Sequence, residues 1–162
     1  VQYPRRVRKV AVVGSPLMGE ALAVPLKLAG YRPIAFAVHT FPFFLRFGLR
    51  LASRFVTRDP RWYSMISRDL SATTLDSFLF SIASLRRTDL RSQLREIQAP
   101  VLGIYGLKDN IVSPGEAETL KTHLPAAQIK TFSHAGHFPM LDEPQRFSQT
   151  VKAFLDGTPI GT

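Results

Sequence analysis

Apolar runs and alternating stretches divide the chain into strands and helices before any chemistry is considered. Val7 to Val13 (VRKVAVV) closes in a nearly unbroken apolar run that stops at Gly14-Ser15-Pro16. That is the pattern of a strand buried on both faces, as in parallel sheets. Val101 to Gly106 (VLGIYG), introduced by Pro100, is a second run of the same kind. A third, Ala127 to Phe132 (AQIKTF), alternates polar Gln128 and Lys130 with apolar neighbours and reads as an edge strand.

Helical patterns separate and follow these strands. Ser113-Pro114-Gly115-Glu116 precedes AETLKTHL. Ser113 is placed as N-cap, Pro114 as the first helical residue, and Glu116 completes a capping box. Asp142-Glu143-Pro144 opens a final helix through Leu155, with Phe147, Val151 and Phe154–Leu155 as its apolar stripe and Gly157 closing it. Strand, helix, strand, helix predicts right-handed crossovers and a parallel sheet.

From Leu17 to about Leu90 no strand pattern occurs, and Pro25, Pro33, Pro42 and Pro60 punctuate several short helices. One, Phe43 to Val56, sets Arg46, Arg50 and Arg54 beside Phe43, Phe44, Phe47, Leu51 and Phe55. Another, Thr74 to Arg87, is apolar through Leu75, Phe78, Leu79, Ile82 and Leu85. An all-helical insert between two parallel strands suggests a cap laid over the carboxyl edge of a sheet.

Composition narrows the function classes. The 162 residues are 45% hydrophobic and 20% charged, which fits one globular domain and argues against intrinsic disorder. The absence of cysteine excludes a disulfide framework, a cysteine nucleophile and thiolate metal sites. The four histidines are too scattered for a dedicated metal cluster. No apolar run approaches the ~20 residues that span a bilayer, and VQYPRRVRK has no apolar segment behind it to form a signal peptide, so a cytoplasmic location is expected. The formal net charge of +9 points toward nucleic acid only at first sight. Residues 1–95 carry 16 Lys/Arg against 5 Asp/Glu (+11), and residues 96–162 carry 5 against 7 (−2). The basic residues are interleaved with Phe and Leu, without a Lys-rich tail or zinc-finger spacing, so no nucleic-acid partner is expected.

The chemistry centres on Asp109 and His137. Asp109 lies in GLKDNIV just past the second strand, and His137 in SHAGHFPMLDEP just past the third. In a parallel sheet both loops emerge at the carboxyl edge, where active sites of open α/β sheets form. A carboxylate bonded to one imidazole nitrogen fixes the tautomer, so that the other nitrogen can take a proton from a nucleophile. Gly136 is expected to let the loop turn beside the ring. Taken singly, Asp109 also fits an ordinary turn and His137 a structural histidine. His134 lies nearer the strand and lacks a preceding Gly.

These phrases carry a resemblance. Ile97-x-Ala99-Pro100, the strand ending in Gly106, Asp109, the GHFPMLDEP segment and the closing helix are similar to the C-terminal part of the α/β-hydrolase fold superfamily. VQYPRRVRKVAVVGSP resembles the stretch that follows the nucleophile helix in that family. The resemblance implies a partial α/β-hydrolase fold, with about three parallel strands, flanking helices and an inserted all-helical cap. Residues 1–16 and 89–162 would form part of the core, and 17–88 the cap. It also implies that Asp109 is the triad acid and His137 the general base, with no cofactor and no metal.

The family's elbow, G-x-S-x-G, occurs nowhere in the chain, and neither does an HGGG-type oxyanion loop. Ser15 is a poor substitute, because the residue after the nucleophile must donate its backbone N–H and Pro16 has none. The nucleophile is therefore expected upstream of Val1, and the 162 residues alone are expected to be catalytically silent. The complete enzyme would hydrolyse an ester-like bond of a small hydrophobic substrate, with Phe41, Phe43, Phe44, Phe47, Phe55, Trp62, Phe78 and Phe80 partly over the site and mostly packing the cap onto the sheet. Epoxide hydrolases, dehalogenases, haloperoxidase-like enzymes and acyltransferases share this half of the fold, and a non-catalytic binding module would retain it too. The Arg46/Arg50/Arg54 stripe could touch a membrane surface or an anionic group, although a solvated face is the plainer reading. The edge of the first strand is open to pairing with a second copy or with a separate N-terminal half.

Overall fold

The computed structural model describes residues 3–29, 31–41, 43, 47, 62–72 and 74–160. Three strands, β1 (Val10–Val13), β2 (Val101–Gly106) and β3 (Gln128–Phe132), pair in parallel in the order β1-β2-β3. Val10 lies opposite Val101, and Leu102 opposite Gln128. β2 is buried at every position because it is central and apolar at every side chain it carries.

Alternation along β2 sends its side chains into two cores. Val101 and Tyr105 join Leu17, Leu94, Leu120, Leu124 and Ala127 on one face. Leu102 and Ile104 join Phe132, Ala135 and Phe154 on the other. The first face is covered by the helices Arg91–Leu94 and Glu116–His123, and the second by Pro144–Asp156. The intended stripe of that last helix is only partly buried: Phe154 is in the core and Phe147 and Val151 pack against it, but Leu155 is 59% exposed. Gly157 ends the helix in the left-handed region, at φ +75°. Lys9 supplies the cation, donating to the carbonyls of Phe154 at 2.6 Å and Leu155 at 2.8 Å.

β1 departs from expectation. It begins at Val10 rather than Val7, because Pro4–Arg6 form a 3-10 turn and Lys9 is drawn to the far helix. Nor is it buried on both faces: Ala11 is exposed and its neighbours are half-buried. Its one hydrogen-bonded neighbour among the described residues is β2, so it lies at an edge of the sheet.

Between β1 and β2 the described residues include a 3-10 turn (Gly19–Ala21) and the helices α1 (Val24–Ala29), α2 (Arg32–Thr40), α3 (Trp62–Ala72), α4 (Leu75–Leu85) and α5 (Arg91–Leu94). The prolines begin helices here, Pro33 standing in the first turn of α2 and Pro25 in that of α1. Thr74 caps α4, its hydroxyl accepting from Ser77 N at 3.2 Å, and Leu79 and Ile82 are buried. The expected helix from Phe43 to Val56, with Arg46, Arg50 and Arg54, falls outside the described residues apart from Phe43 and Phe47. The excursion leaves and returns at one point: Met18 bridges Asp89, Gly19 N donates to Thr88 O at 2.8 Å, and Leu90 N to Leu17 O at 2.9 Å. Among the described residues no helix is long and apolar enough to cross a membrane.

The helix α6 (Glu116–His123) starts later than expected, and the capping box at Ser113 does not form. Ser113 N donates instead to Ala21 O at 2.8 Å, so it has no use for the Glu116 carboxylate. The Ser113 hydroxyl takes Gly115 N at 3.2 Å. After β3, a short helix α7 (Pro139–Asp142) precedes α8 (Pro144–Asp156).

Candidate active site

The loops that follow β2 and β3 are tied together through their backbones. Leu107 N donates to Phe132 O at 2.9 Å and Lys108 N to Ala135 O at 3.0 Å. The two loops meet closely where Gly106 faces Gly136, and a Cβ on Gly106 would overlap the Gly136 carbonyl oxygen. Asp109 and His137 therefore arrive at the same rim of the sheet.

Asp109 has a side chain that is 2% exposed. Its Oδ1 accepts from Ile111 N at 2.8 Å and Val112 N at 2.9 Å, which fixes the carboxylate within its own turn. Its Oδ2 lies 2.8 Å from His137 Nδ1. An ionised carboxylate can only accept, so Nδ1 carries the proton and Nε2 presents its lone pair. The His137 side chain is 20% exposed, which leaves the imidazole accessible while its anchor is not. Phe138 meets the ring edge-on, with centroids 4.8 Å apart.

Gly14, at the end of β1, lies against the same ring. Its φ is +52°, and a Cβ there would sit 3.1 Å from His137 Nδ1 and 3.2 Å from Cε1. Gly14, rather than Gly136, is the glycine whose left-handed backbone leaves room for the imidazole. Gly136 instead donates its N–H to Asp142 Oδ2 at 2.8 Å, which holds the His137 loop against α7. Asp142 and Gly14 escape sequence reasoning because one looks like a helix-opening acid and the other like a plain turn residue.

The remaining candidates fall elsewhere. His134 is exposed. The Ser15 hydroxyl lies 3.3 Å from Val13 O, in keeping with a turn residue. Phe41, Phe43, Phe47 and Phe80 are exposed rather than packed onto the sheet, with Phe80 at 77%. Phe78 is half-buried, while Phe44, Phe55 and the Trp62 side chain lie outside what is described. A depression of about 590 Å³ along β3, lined in part by Lys121, Gln128, Lys130 and Ile160, includes neither Asp109 nor His137. Among the described residues no group of three or more His, Asp or Glu side chains is arranged to hold a metal ion.

A family profile described as alpha/beta hydrolase fold matches residues 1–144. The chain belongs to the alpha/beta hydrolase fold family. Over 161 residues it is 24% identical to 3-oxoadipate enol-lactonase 2 of Acinetobacter baylyi, covering 96% of this chain and 57% of that protein. Over 63 residues it is 41% identical to the pimeloyl-[acyl-carrier protein] methyl ester esterase of Nitrosomonas europaea, which is 39% of this chain and 25% of the esterase. Among solved structures, a thermophilic esterase superposes with a TM-score of 0.71 at 20% identity, over 96% of this chain and 59% of that one. At that identity the likeness shows the hydrolase fold alone. Where it is matched almost whole, the chain spans 57% of the enol-lactonase and 59% of the solved esterase.

Proposed function

We propose that this chain supplies the acid and base of a serine-type hydrolase acting on a carboxylic ester or lactone. His137 would take the proton of a nucleophilic hydroxyl through Nε2 and return it to the leaving oxygen. Asp109 would hold the imidazole in the Nδ1–H tautomer and stabilise the imidazolium that forms. The observation that carries this reading is the 2.8 Å bond between a buried carboxylate and an accessible imidazole, on adjacent loops at the carboxyl rim of a parallel sheet.

The relatives support the bond type. A methyl ester and an enol-lactone are both carboxylic esters, cleaved through a tetrahedral oxyanion, and proteins named for these substrates are the ones this chain resembles. The sequence holds no G-x-S-x-G, so the nucleophile and its oxyanion donors are assigned to a segment preceding Val1. Residues 17–88 would form a cap over the carboxyl edge, and residues 1–16 with 89–162 the core beneath it. The open edge of β1 would pair with a strand of that preceding segment. The substrate would be small and largely apolar, and the chemistry calls for no cofactor.

The test is esterase turnover with p-nitrophenyl acyl esters, by the gene product including the residues encoded before Val1 and by the 162-residue chain alone. The longer protein should turn over and lose activity on His137→Ala, while the shorter one stays silent. Turnover by the 162 residues that disappears on His137→Ala would place a nucleophile inside the chain. Turnover by the longer protein that survives His137→Ala would remove His137 from the reaction.

A further inference from the structure

Glu116 is the buried charge that this mechanism does not use. It is 2% exposed in the first turn of α6, and its Oε2 accepts the backbone N–H of Leu17 and, at 3.0 Å, that of Met18. Among the described residues it makes no ion pair. A carboxylate buried without a cation is a costly way to fill a core. It is reconciled here by two charge-assisted hydrogen bonds and by the positive end of the α6 dipole. A merely space-filling role would be met better by an apolar side chain.

What the carboxylate holds is the far end of a segment whose first residue, Gly14, lies against His137. Gly14 N donates to Ile104 O at 2.9 Å, which anchors the start of Gly14–Met18 to β2. Glu116 anchors the end. At the first of these points Gly14 lies so close to His137 that a Cβ there would press on Nδ1 and Cε1. The same residues carry the closure of the helical excursion, through Leu90 N to Leu17 O and the Met18–Asp89 bridge. The stretch after the Asp109 turn is joined separately to residues 21–23, by Ser113 N to Ala21 O at 2.8 Å and Ala23 N to Ile111 O at 2.8 Å.

We propose that Glu116 is a positioning residue for His137, acting through the Gly14–Met18 segment. The proposal rests on the reading of His137 as the base. It assigns to one side chain the task of keeping the imidazole wall and the foot of the helical excursion in register with the Asp109 turn.

The experiment is NMR on the 162-residue chain, following exchange with water of the Leu17 and Met18 amides, of the Leu102 amide in β2, and of the His137 Nδ1 proton. Glu116→Gln keeps the shape and removes the charge, and its amide cannot accept from both N–H groups as strongly. Exchange at Leu17, Met18 and His137 Nδ1 should accelerate by about tenfold relative to Leu102, the loss of roughly one hydrogen bond's net worth. Glu116→Asp, which retains the charge on a shorter stem, should give the smaller effect of the two. If Glu116→Gln does not fold, Glu116→Asp carries the test by the same readouts against wild type. Acceleration at Leu17 and Met18 with His137 unchanged would overturn the proposal, leaving Glu116 as a loop latch. So would an equal acceleration at His137 in Val151→Ala, a truncation against the core on the other face of the sheet, which includes no residue of Gly14–Met18. Esterase turnover that survives His137→Ala would instead sink the base assignment, whatever the Glu116 variants do to exchange.

Discussion

Replacing Asp109 by Asn tests the site without changing its size, and the hydrogen bonds decide how the new amide sits. If the amide oxygen replaces Oδ1, it still accepts from Ile111 N and Val112 N, and its NH2 faces His137 Nδ1. If the amide is turned over, its NH2 meets two backbone donors. That leaves two buried N–H groups unsatisfied at about 1–3 kcal/mol each, so the first pose wins. In it, two charge-assisted bonds become neutral ones, which lowers stability by about 2 kcal/mol in total. More telling is the proton. Facing a donor, Nδ1 must accept, so the imidazole proton moves to Nε2 and the lone pair that would serve as base is lost.

In the Ser-His-Asp template this tautomer change costs about 10⁴ in kcat while geometry is preserved. Long-range ¹H–¹⁵N correlation of the His137 ring at neutral pH reads the tautomer directly, in the chain itself and without any turnover. Wild type should show Nδ1–H and the Asp109→Asn variant Nε2–H, with a modest drop in the urea midpoint. Persistence of Nδ1–H in the variant would refute the reasoning, because it would mean that Asp109 does not determine which nitrogen holds the proton.

Two further outcomes follow from the same contacts. Gly14→Ala should destabilise by about 1–2 kcal/mol, since φ is +52° and the new methyl would press on Nδ1 and Cε1, and it should shift the His137 ring resonances; denaturation together with the ring spectrum checks both, and unchanged resonances would contradict the placement of Gly14. Tyr105→Phe should leave stability unchanged or raise it by up to about 1 kcal/mol, because the Tyr105 hydroxyl is buried with no hydrogen-bond partner among the described residues, and burial together with the Glu116 charge pushes its ionisation well above the usual tyrosine range. A clear drop in the urea midpoint would show that the hydroxyl is satisfied after all.

How much could be read in advance depended on whether a signal was local. β2 was legible because six apolar residues between a proline and a tight turn have one stable destination, the middle of a parallel sheet. The last helix and its Gly157 stop were legible for the same reason. β1 was over-read. Its valines specify a strand, and its open edge agrees with expectation, but how far its two faces are buried depends on what packs over them, and Val10–Val13 cannot encode that. The phenylalanines of the insert misled similarly: Phe80 and Phe47 are apolar, yet their exposure depends on which way their helices face. Glu116 was hidden by a pattern it genuinely matches. Ser-x-x-Glu is a capping box until Ala21, far away in sequence, takes the Ser113 N–H for its carbonyl.

Asp109 and His137 meet because parallel topology converts sequence order into position. Residues after consecutive parallel strands share a rim, and the backbone bonds between residues 107–108 and 132–135 turn that shared rim into a fixed separation. The Asp109–His137 distance is therefore a property of the backbone, and substitutions on the surrounding surface should leave it unchanged. Gly14 and Glu116 have no such rule. Gly14 reaches His137 from the strand on the opposite side of β2, across more than a hundred residues, and Glu116 reaches the end of that segment from α6 at Leu17, 99 residues away in sequence. With Asp109 on Nδ1 and Gly14 lying beside Nδ1 and Cε1, Nε2 is the ring nitrogen that would exchange a proton in the proposed reaction. The order of the strands thus does more than bring two side chains together: it would also select which imidazole nitrogen serves the proposed reaction.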